Sequence, residues 1–559
     1  MYKLINEKFN EYFPDKIIKP LQFDIVKNII DKNDIIAILP TGYGKSLCYQ
    51  LPFLINPDKF VIVISPLIAL MEDQTDKLKK LNIPVESFHS NKKKQNIKNY
   101  SIDKPMIIFL TPEYIVNCND FINNLVSNNK LSLIAIDEAH CISSWGNDFR
   151  PEYKELYKIK EIINDIPLLA LTATATKQVE EDIKKYLKIN KPKIFKTSFD
   201  RPNLILNVLS KPKSFEEVFP IIDQYISDFS IIYCKTRNMA EEINELLKNN
   251  NYNSDLYHAG LSGDHRKKIQ DKFASKQINI IVATIAFGMG IDQNIHLVVH
   301  WGCPSDMESY YQEIGRAGRD NLESKCYLYY DKEDFKISRY FLKSIRNDTY
   351  RRFKDEQIAK MERFCMLPYC RKKTVLTHFE EILDENYKCN KCDNCYKQTE
   401  LNKTTIINIL YPIFIIIKTI MIIKCRLGVN KLSLILKGSK SKLIIEFNKL
   451  KTFGLLKEIS EEQIKNLISL LLLNRYLKEK TIQSGFGTVL ETTTKTITYY
   501  KKIDNLIGNK DLYFNSINNI LLNNTITLDI PVNFNNLLNI KFKTQEEQIL
   551  NEFEDLLKD

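Results

Sequence analysis

LPTGYGKSLCYQLP, Leu39 to Pro52, follows an apolar run and leads into a segment with helical spacing. A phosphate loop works because backbone N–H groups at a helix N-terminus surround an anion, while a lysine neutralises it and a hydroxyl holds magnesium. Thr41, Gly42, Gly44, Lys45 and Ser46 supply those parts, with the two glycines just ahead of the lysine, where the backbone must approach a phosphate closely. The general form GxxxxGK[ST] has a glycine where Leu39 stands, so this stretch alone also reads as an ordinary strand-to-helix turn.

Its companions decide between the two readings. Short apolar runs recur at 60–65 (FVIVIS), 105–111 (PMIIFLT), 131–137 (LSLIAID) and 167–173 (PLLALTA), then again at 229–234 (FSIIYC), 278–284 (INIIVAT) and 297–302 (LVVHWG). Runs buried on both faces and alternating with helical segments predict parallel sheets, and two series predict two α/β domains in tandem. SFDRPNL, Ser198 to Leu204, is the expected hinge between them. LIAIDEAH puts Asp137 and Glu138 at the end of a buried strand, where one carboxylate can hold magnesium and its neighbour can polarise an attacking water. An acidic pair at a helix start is the bland alternative. LTATAT at 171–176 and QEIGRAGRD at 312–320, in the same order along the chain, weigh against it.

At 559 residues the chain is too long for one core, and about three to five domains are expected. Apolar residues at 44% and charged residues at 27% exclude global disorder, and a net charge of +11 suits a polyanionic partner. The N-terminal MYKLINEKFNEYF lacks the apolar stretch of a secretory signal, which predicts an intracellular, reducing compartment and thiols rather than disulfides for the 12 cysteines. Thr404 to Cys425 is apolar enough to suggest a membrane span, but Asn408, Pro412 and Lys418 interrupt it, so a buried helix or helix pair is expected and no membrane. In YCRKKTVLTHFEEILDENYKCNKCDNC, Cys370, Cys389, Cys392 and Cys395 have the spacing of a tetrahedral zinc site, with an iron–sulfur cluster as the competing reading. His378 reads as a helix-surface residue rather than a ligand.

Leu39 to Pro52, SPLIALMEDQ at 65–74, DEAHCISSWGNDFRPEY at 137–153, the TATAT segment, YHAGL at 257–261, and IVATIAFGMGID followed by SYYQEIGRAGRD resemble the RecQ branch of the superfamily 2 DNA helicases, over roughly Lys19 to Asp320. In that branch the first motif lacks the leading glycine, which accounts for Leu39. The resemblance implies that Lys45 contacts the β and γ phosphates of ATP, that Ser46 and Asp137 hold Mg²⁺, and that Glu138 is the general base. It further implies that Arg316 and Arg319 face the γ-phosphate beside Gln312, with Arg319 as the arginine finger, and that Gln22 reads the adenine edge. In CISSWGNDFRPEY, Trp145, Phe149 and Tyr153 would stack on single-stranded bases beside Arg150, and Ser65, Thr111 and Thr284 would contact the strand backbone. The position of the cysteine cluster after the second motor domain, as in RecQ proteins, favours zinc.

KLSLILKGSKSKLIIEFNKLKTFG and EEQIKNLISLLLLNRYLKEKTIQSGFGTVLETTTK read as two helices leading into a hairpin, as a winged helix requires, with Phe486 as an aromatic at the hairpin tip. The expected organisation is therefore a motor domain at 1–197 that binds ATP, a second at 198–340, a helical zinc-binding subdomain at 341–400, a winged helix at 401–502 and a tail at 503–559. The implied activity is ATP-dependent 3′ to 5′ unwinding of duplex or branched DNA in replication, recombination or repair, with single-stranded and forked duplex DNA as partners, an RNA helicase on the same motor as the alternative and a silent nucleic-acid-binding scaffold as the remote one. Localisation would be nuclear for a cellular eukaryotic protein, or at a cytoplasmic replication site for a large DNA virus.

Overall fold

The computed structural model describes residues 2–498 other than 15–16, 67, 90–96, 98–99, 145–151, 164, 175, 285–292, 367–368, 385–386, 401–406, 424–426, 474–475, 482–487 and 495. Trp145, Phe149, Arg150 and Phe486, and the segment from 503 to 559, lie outside the described residues. Strands β1 (Ile35–Ile38), β2 (Phe60–Ile64), β3 (Val85–Phe88), β4 (Ile107–Leu110), β5 (Leu131–Ile136), β6 (Leu168–Thr172) and β7 (Lys193–Lys196) form a first sheet in the order β3-β4-β2-β5-β6-β1-β7. Strands β8 (Leu204–Ser210), β9 (Phe229–Cys234), β10 (Ser254–Tyr257), β11 (Ile280–Ala283), β12 (Ile295–Trp301) and β13 (Ser324–Tyr330) form a second, in the order β10-β11-β9-β12-β13-β8. Every strand pairing in both sheets is parallel.

Parallel strands need long crossovers, and here helices cover both faces, so the central strands are apolar along their whole length. β1, β2, β4 and β6 are buried at every position. β7, at the edge, keeps three of its four side chains exposed and carries lysine at both ends. Helices Tyr2–Tyr12, Pro20–Ile30 and Leu47–Ile55 close one face of the first sheet through Ile5, Phe9, Ile25, Tyr49 and Phe53. The opposite face belongs to a core that continues through Phe199 of the connecting segment and Tyr311 of helix Met307–Ile314 into the cysteine region at Phe364 and Phe379.

After β13 the chain is helical. Helix Asp348–Met366 is lashed to the preceding helix Lys332–Phe341 by Arg339, which pairs with Asp355 at 3.0 Å and Glu362 at 2.7 Å. Helix Ile407–Ile423 holds the membrane-length segment. Ile413 to Ile417 are completely or almost completely buried, Thr419 Oγ1 donates to the Ile415 carbonyl at 2.6 Å, and among the described residues no helix is long and apolar enough to cross a membrane. Helices Val429–Lys437 and Glu461–Leu473 precede the antiparallel pair β14 (Leu477–Thr481) and β15 (Thr488–Thr492), the helix-then-hairpin arrangement expected of a winged helix. Gly438 ends the first of these helices at φ +73°, and a Cβ there would meet Gly454 Cα at 2.9 Å, so Gly438 has no room for a side chain. Lys360 pairs with Glu479 of β14 at 3.2 Å and joins the hairpin to helix Asp348–Met366.

One expectation is corrected here. Tyr153, read as part of a base-stacking set, is fully buried, and its hydroxyl donates to the Asp137 carbonyl at 3.2 Å. It braces the acidic strand end from inside and has no face to offer a base.

His296, at the start of β12, lies 3.1 Å from Asp228 and 2.8 Å from Asp320. Burial works against its charge, but the hydrogen bonds to Asp320 and Asp228 outweigh that and raise its pKa above the ordinary value. A raised histidine adds stability that is fully present below about pH 6.5 and is lost as the pH rises through its folded value. His296→Asn is therefore expected to lower Tm in acidic buffer and to match the parent protein in alkaline buffer. A difference in Tm that is the same at every pH would show that the ion pairs contribute nothing.

Candidate active site at the cleft between the sheets

The loop from Pro40 to Ser46 leaves β1 and runs into helix Leu47–Ile55, and Gly42 and Gly44 take φ values of +82° and +93°. Gln22, only 1% exposed, secures this loop. Its Nε2 donates to the carbonyls of Tyr43 at 2.9 Å and Gly44 at 3.1 Å, while its Oε1 accepts from the Lys19 amide at 2.9 Å. A Cβ on Gly44 would sit 2.5 Å from Gln22 Nε2, so this glycine is required by the packing of the loop as well as by its backbone angle. Lys19 Nζ donates to the Tyr43 carbonyl at 3.1 Å and lies 4.2 Å from the Tyr43 ring centroid. Lys45 Nζ donates to the Leu39 carbonyl at 3.5 Å.

β5 delivers Asp137 and Glu138 to the same edge. Asp137 is buried, its Oδ1 accepts the Glu138 amide at 3.0 Å, and it has no ion-pair partner among the described residues. Burial, then the charge of Glu138, raises the Asp137 carboxyl above its ordinary range. Burial presses on Glu138 too, but Lys45, His140 and Arg316 outweigh it and hold that carboxyl below its ordinary range. Glu138 adopts φ +49°, a left-handed conformation uncommon for a side chain of this size. A buried carboxylate with no cation of its own, beside a loop that offers Lys45 and the Ser46 hydroxyl, is a donor set that fits a divalent cation.

The second sheet closes the other wall. Helix Met307–Ile314 and the loop after it carry Gln312, Arg316 and Arg319. Arg319 lies over the phosphate loop, so that a Cβ on Gly42 would meet its Cγ at 3.3 Å. Arg316 is 9% exposed, its Nε has no hydrogen-bond partner among the described residues, and its charge acts on Glu138. Gln312 Nε2 donates to Thr174 Oγ1 at 3.3 Å and lies 3.3 Å from His140 Nε2. His140 Nδ1 lies 2.9 Å from Thr172 Oγ1 and 3.3 Å from Glu138 Oε2, and burial lowers its pKa. A polar chain thus runs from Glu138 through His140 to Gln312, from one sheet to the other. His140 and Thr174 were not singled out from the sequence, although both lie inside the quoted DEAH and TATAT segments.

Ser65 and Thr111 follow β2 and β4, which are neighbours, and both are buried, while Thr284 follows β11 in the second sheet and is partly exposed. The three therefore stand at the C-terminal edges of their sheets.

Cys370, Cys389, Cys392 and Cys395 are brought together, their Sγ atoms all within 4.8 Å of one another. The Cys389 and Lys373 amides donate to Cys370 Sγ at 3.3 and 3.5 Å, and the Arg371 amide donates to Cys392 Sγ at 3.3 Å, bonds that favour thiolates. Four thiolates this close suit one tetrahedral ion better than a multi-iron cluster, whose own atoms would have to stand between the sulfurs. Arg371 bridges to Asp393 through two 3.0 Å bonds and fixes the helix that carries Cys395. His378 stands apart from the cluster, 2.9 Å from Glu308.

Comparison with known proteins agrees with this arrangement. Residues 19–182 match the DEAD/DEAH box helicase family, 211–321 the helicase conserved C-terminal domain, 332–396 the RecQ zinc-binding family and 408–510 the RQC domain. The chain is 40% identical to a protein of Acanthamoeba polyphaga mimivirus described provisionally as an ATP-dependent RNA helicase, over 91% of this chain and 95% of that one. It is 36% identical to the ATP-dependent DNA helicase RecQ of Bacillus subtilis, over 79% of this chain and 74% of that one. Among solved structures, Mycobacterium smegmatis helicase Lhr superposes with a TM-score of 0.50 at 16% identity, covering 89% of this chain and 61% of that one, a likeness of fold alone.

Elemental analysis of the purified protein is expected to find about one zinc per chain, and Cys392→Ser to lose the metal together with several degrees of Tm, because such a site is coupled to folding. Iron with visible absorption would replace zinc by a cluster.

Proposed function

The chain belongs to the RecQ family of superfamily 2 helicases, and from that premise we propose that it is a DNA helicase that hydrolyses ATP in this cleft and moves 3′ to 5′ along one strand. The observation that carries the chemistry is the meeting of Lys45, Asp137 and Glu138 from one sheet with Arg316, Arg319 and Gln312 from the other, Arg319 lying against Gly42. In this reading Thr41, Gly42 and Gly44 shape the loop around the phosphates and Lys45 neutralises the β and γ oxygens. Glu138, held ionised by its cationic neighbours, accepts the proton of the attacking water, and Arg319 offsets the charge that grows on the transferred group. Ser46 and Asp137 would hold Mg²⁺, which when bound neutralises the phosphates and orients them. Gln22 would read the adenine edge through the same amide that secures the loop.

The strand-binding role rests on Ser65, Thr111 and Thr284 at the sheet edges, with Trp145, Phe149 and Arg150 as the element that couples bases to the ATP site. The division into 1–197, 198–340, 341–400, 401–502 and 503–559 belongs to the same proposal. DNA as substrate is supported by the name of the Bacillus relative, and an RNA substrate by the description of the mimivirus relative.

Lys45→Ala and Glu138→Gln are each expected to abolish nucleic-acid-stimulated ATPase activity while single-strand binding persists, and Arg319→Ala to lose on the order of 10³-fold in turnover. Substantial activity in any of the three would displace that residue from its role. Matched forked DNA and RNA substrates with 3′ or 5′ tails test the substrate: unwinding of 3′-tailed DNA is expected, and preferential unwinding of RNA would reassign it. In the same assay Phe486→Ala is expected to slow strand separation and spare the ATPase, whereas unwinding at the parent rate would place strand separation elsewhere.

A further inference from the structure

The segment between β7 and β8 does more than join the two sheets. Arg201, in its middle, reaches both loops that face the nucleotide. Its Nη1 donates to the Thr41 carbonyl at 3.3 Å, and its Nη2 donates to the carbonyls of Ala317 at 2.9 Å and Gly318 at 2.8 Å. Thr41 immediately precedes Gly42, and Gly318 immediately precedes Arg319. One planar group therefore spans the cleft and holds the backbone just ahead of the two residues that lie against each other across it. A guanidinium can do this because its donors project in a fixed fork, whereas an ammonium has no such plane.

The segment is in turn held by the cysteine region. Lys372, 6% exposed, donates to the Arg201 carbonyl at 2.6 Å and lies 3.4 Å from Asp200, which also accepts from the Tyr387 hydroxyl at 3.2 Å. The Phe199 amide and the Ser198 hydroxyl both donate to Glu381, and the Phe199 ring stacks on Phe379 with centroids 4.4 Å apart. From the motor side the Tyr311 hydroxyl donates to the Phe199 carbonyl at 2.7 Å.

We propose that Arg201 is a positioning residue for ATP hydrolysis, setting the separation between the phosphate loop and the loop that carries Arg319, and that Lys372 of the cysteine region holds Arg201 in place. The proposal rests on the reading of the cleft as the ATPase site. Its chemistry is specific. Lys45 and the loop glycines contact the ground-state phosphates without help from Arg201, so ATP affinity does not depend on it. The approach of Arg319 matters most in the transition state, so turnover does.

The test is steady-state ATPase measurement with saturating oligothymidylate. Arg201→Ala is expected to lower kcat by about 10- to 10²-fold, the scale of a misplacement of about 1 Å, with KM for ATP within about threefold. Arg201→Lys is expected to recover part of kcat, and adding Arg201→Ala to Arg319→Ala to cost little beyond Arg319→Ala alone. Lys372→Ala, with its zinc content unchanged, is expected to lose kcat severalfold, which keeps the proposal testable if Arg201→Ala does not fold. A kcat within about twofold of the parent for Arg201→Ala, or fully additive losses in the double variant, would overturn it. Activity surviving Glu138→Gln would overturn both the site and this proposal, whereas activity lost in Glu138→Gln and unchanged in Arg201→Ala overturns this proposal alone.

Discussion

Two carboxylates on consecutive residues, both withdrawn from water, form the interaction on which the rest of the cleft depends. Asp137 and Glu138 repel each other in a setting where solvent cannot screen them, and Asp137 alone shows the cost as a raised pKa. The compensating charges come from elsewhere. Lys45 arrives from the end of β1, which is separated from β5 by β6, and Arg316 arrives from the second sheet. Because the strands are parallel, β1 and β5 end on the same edge, and a loop and an acidic pair far apart in sequence meet there. The first sheet supplies the negative charge and part of its compensation, and the second sheet completes it.

The hinge shows how a small helical region can matter to a reaction it does not touch. Its cysteines are distant in sequence from the phosphate loop, but the same region contributes Lys372, Phe379, Glu381 and Tyr387 to the segment between the sheets. The element built around the four cysteines holds the joint, and the joint holds the loops.

Much of this was legible from the sequence. Strands buried on both faces announced themselves as unbroken apolar runs, and β2, β4, β5, β6, β9, β11 and β12 lie where those runs stand. β3, β7 and β10 went unread because they are short edge or near-edge strands, VESF, KIFK and SDLY, whose polar residues break the run. β8 and β13 were missed for a related reason: Asn207 and the tyrosines of SKCYLYY dilute the apolar signal although the strands pair along their whole length. The motif residues converge because the chemistry that requires them also dictates their spacing. Tyr153 was misread because an aromatic within a loop sequence carries no mark of which way it faces. Arg201 was invisible as a contact because its partners are three backbone carbonyls, which have no sequence signature.

The ion pair between Lys360 and Glu479 has a mechanical consequence. Helix Asp348–Met366, 19 residues long, is gripped at Asp355 and Glu362 by Arg339 of the helix that follows the second sheet, and Lys360, between those two positions, reaches the hairpin of the winged region. The two attachments fall within about two turns of one helix, so a displacement of the helix that follows the second sheet passes to the hairpin with no long arm between them. The second sheet and the wing are thus clasped to one short stretch of helix rather than joined by a lever.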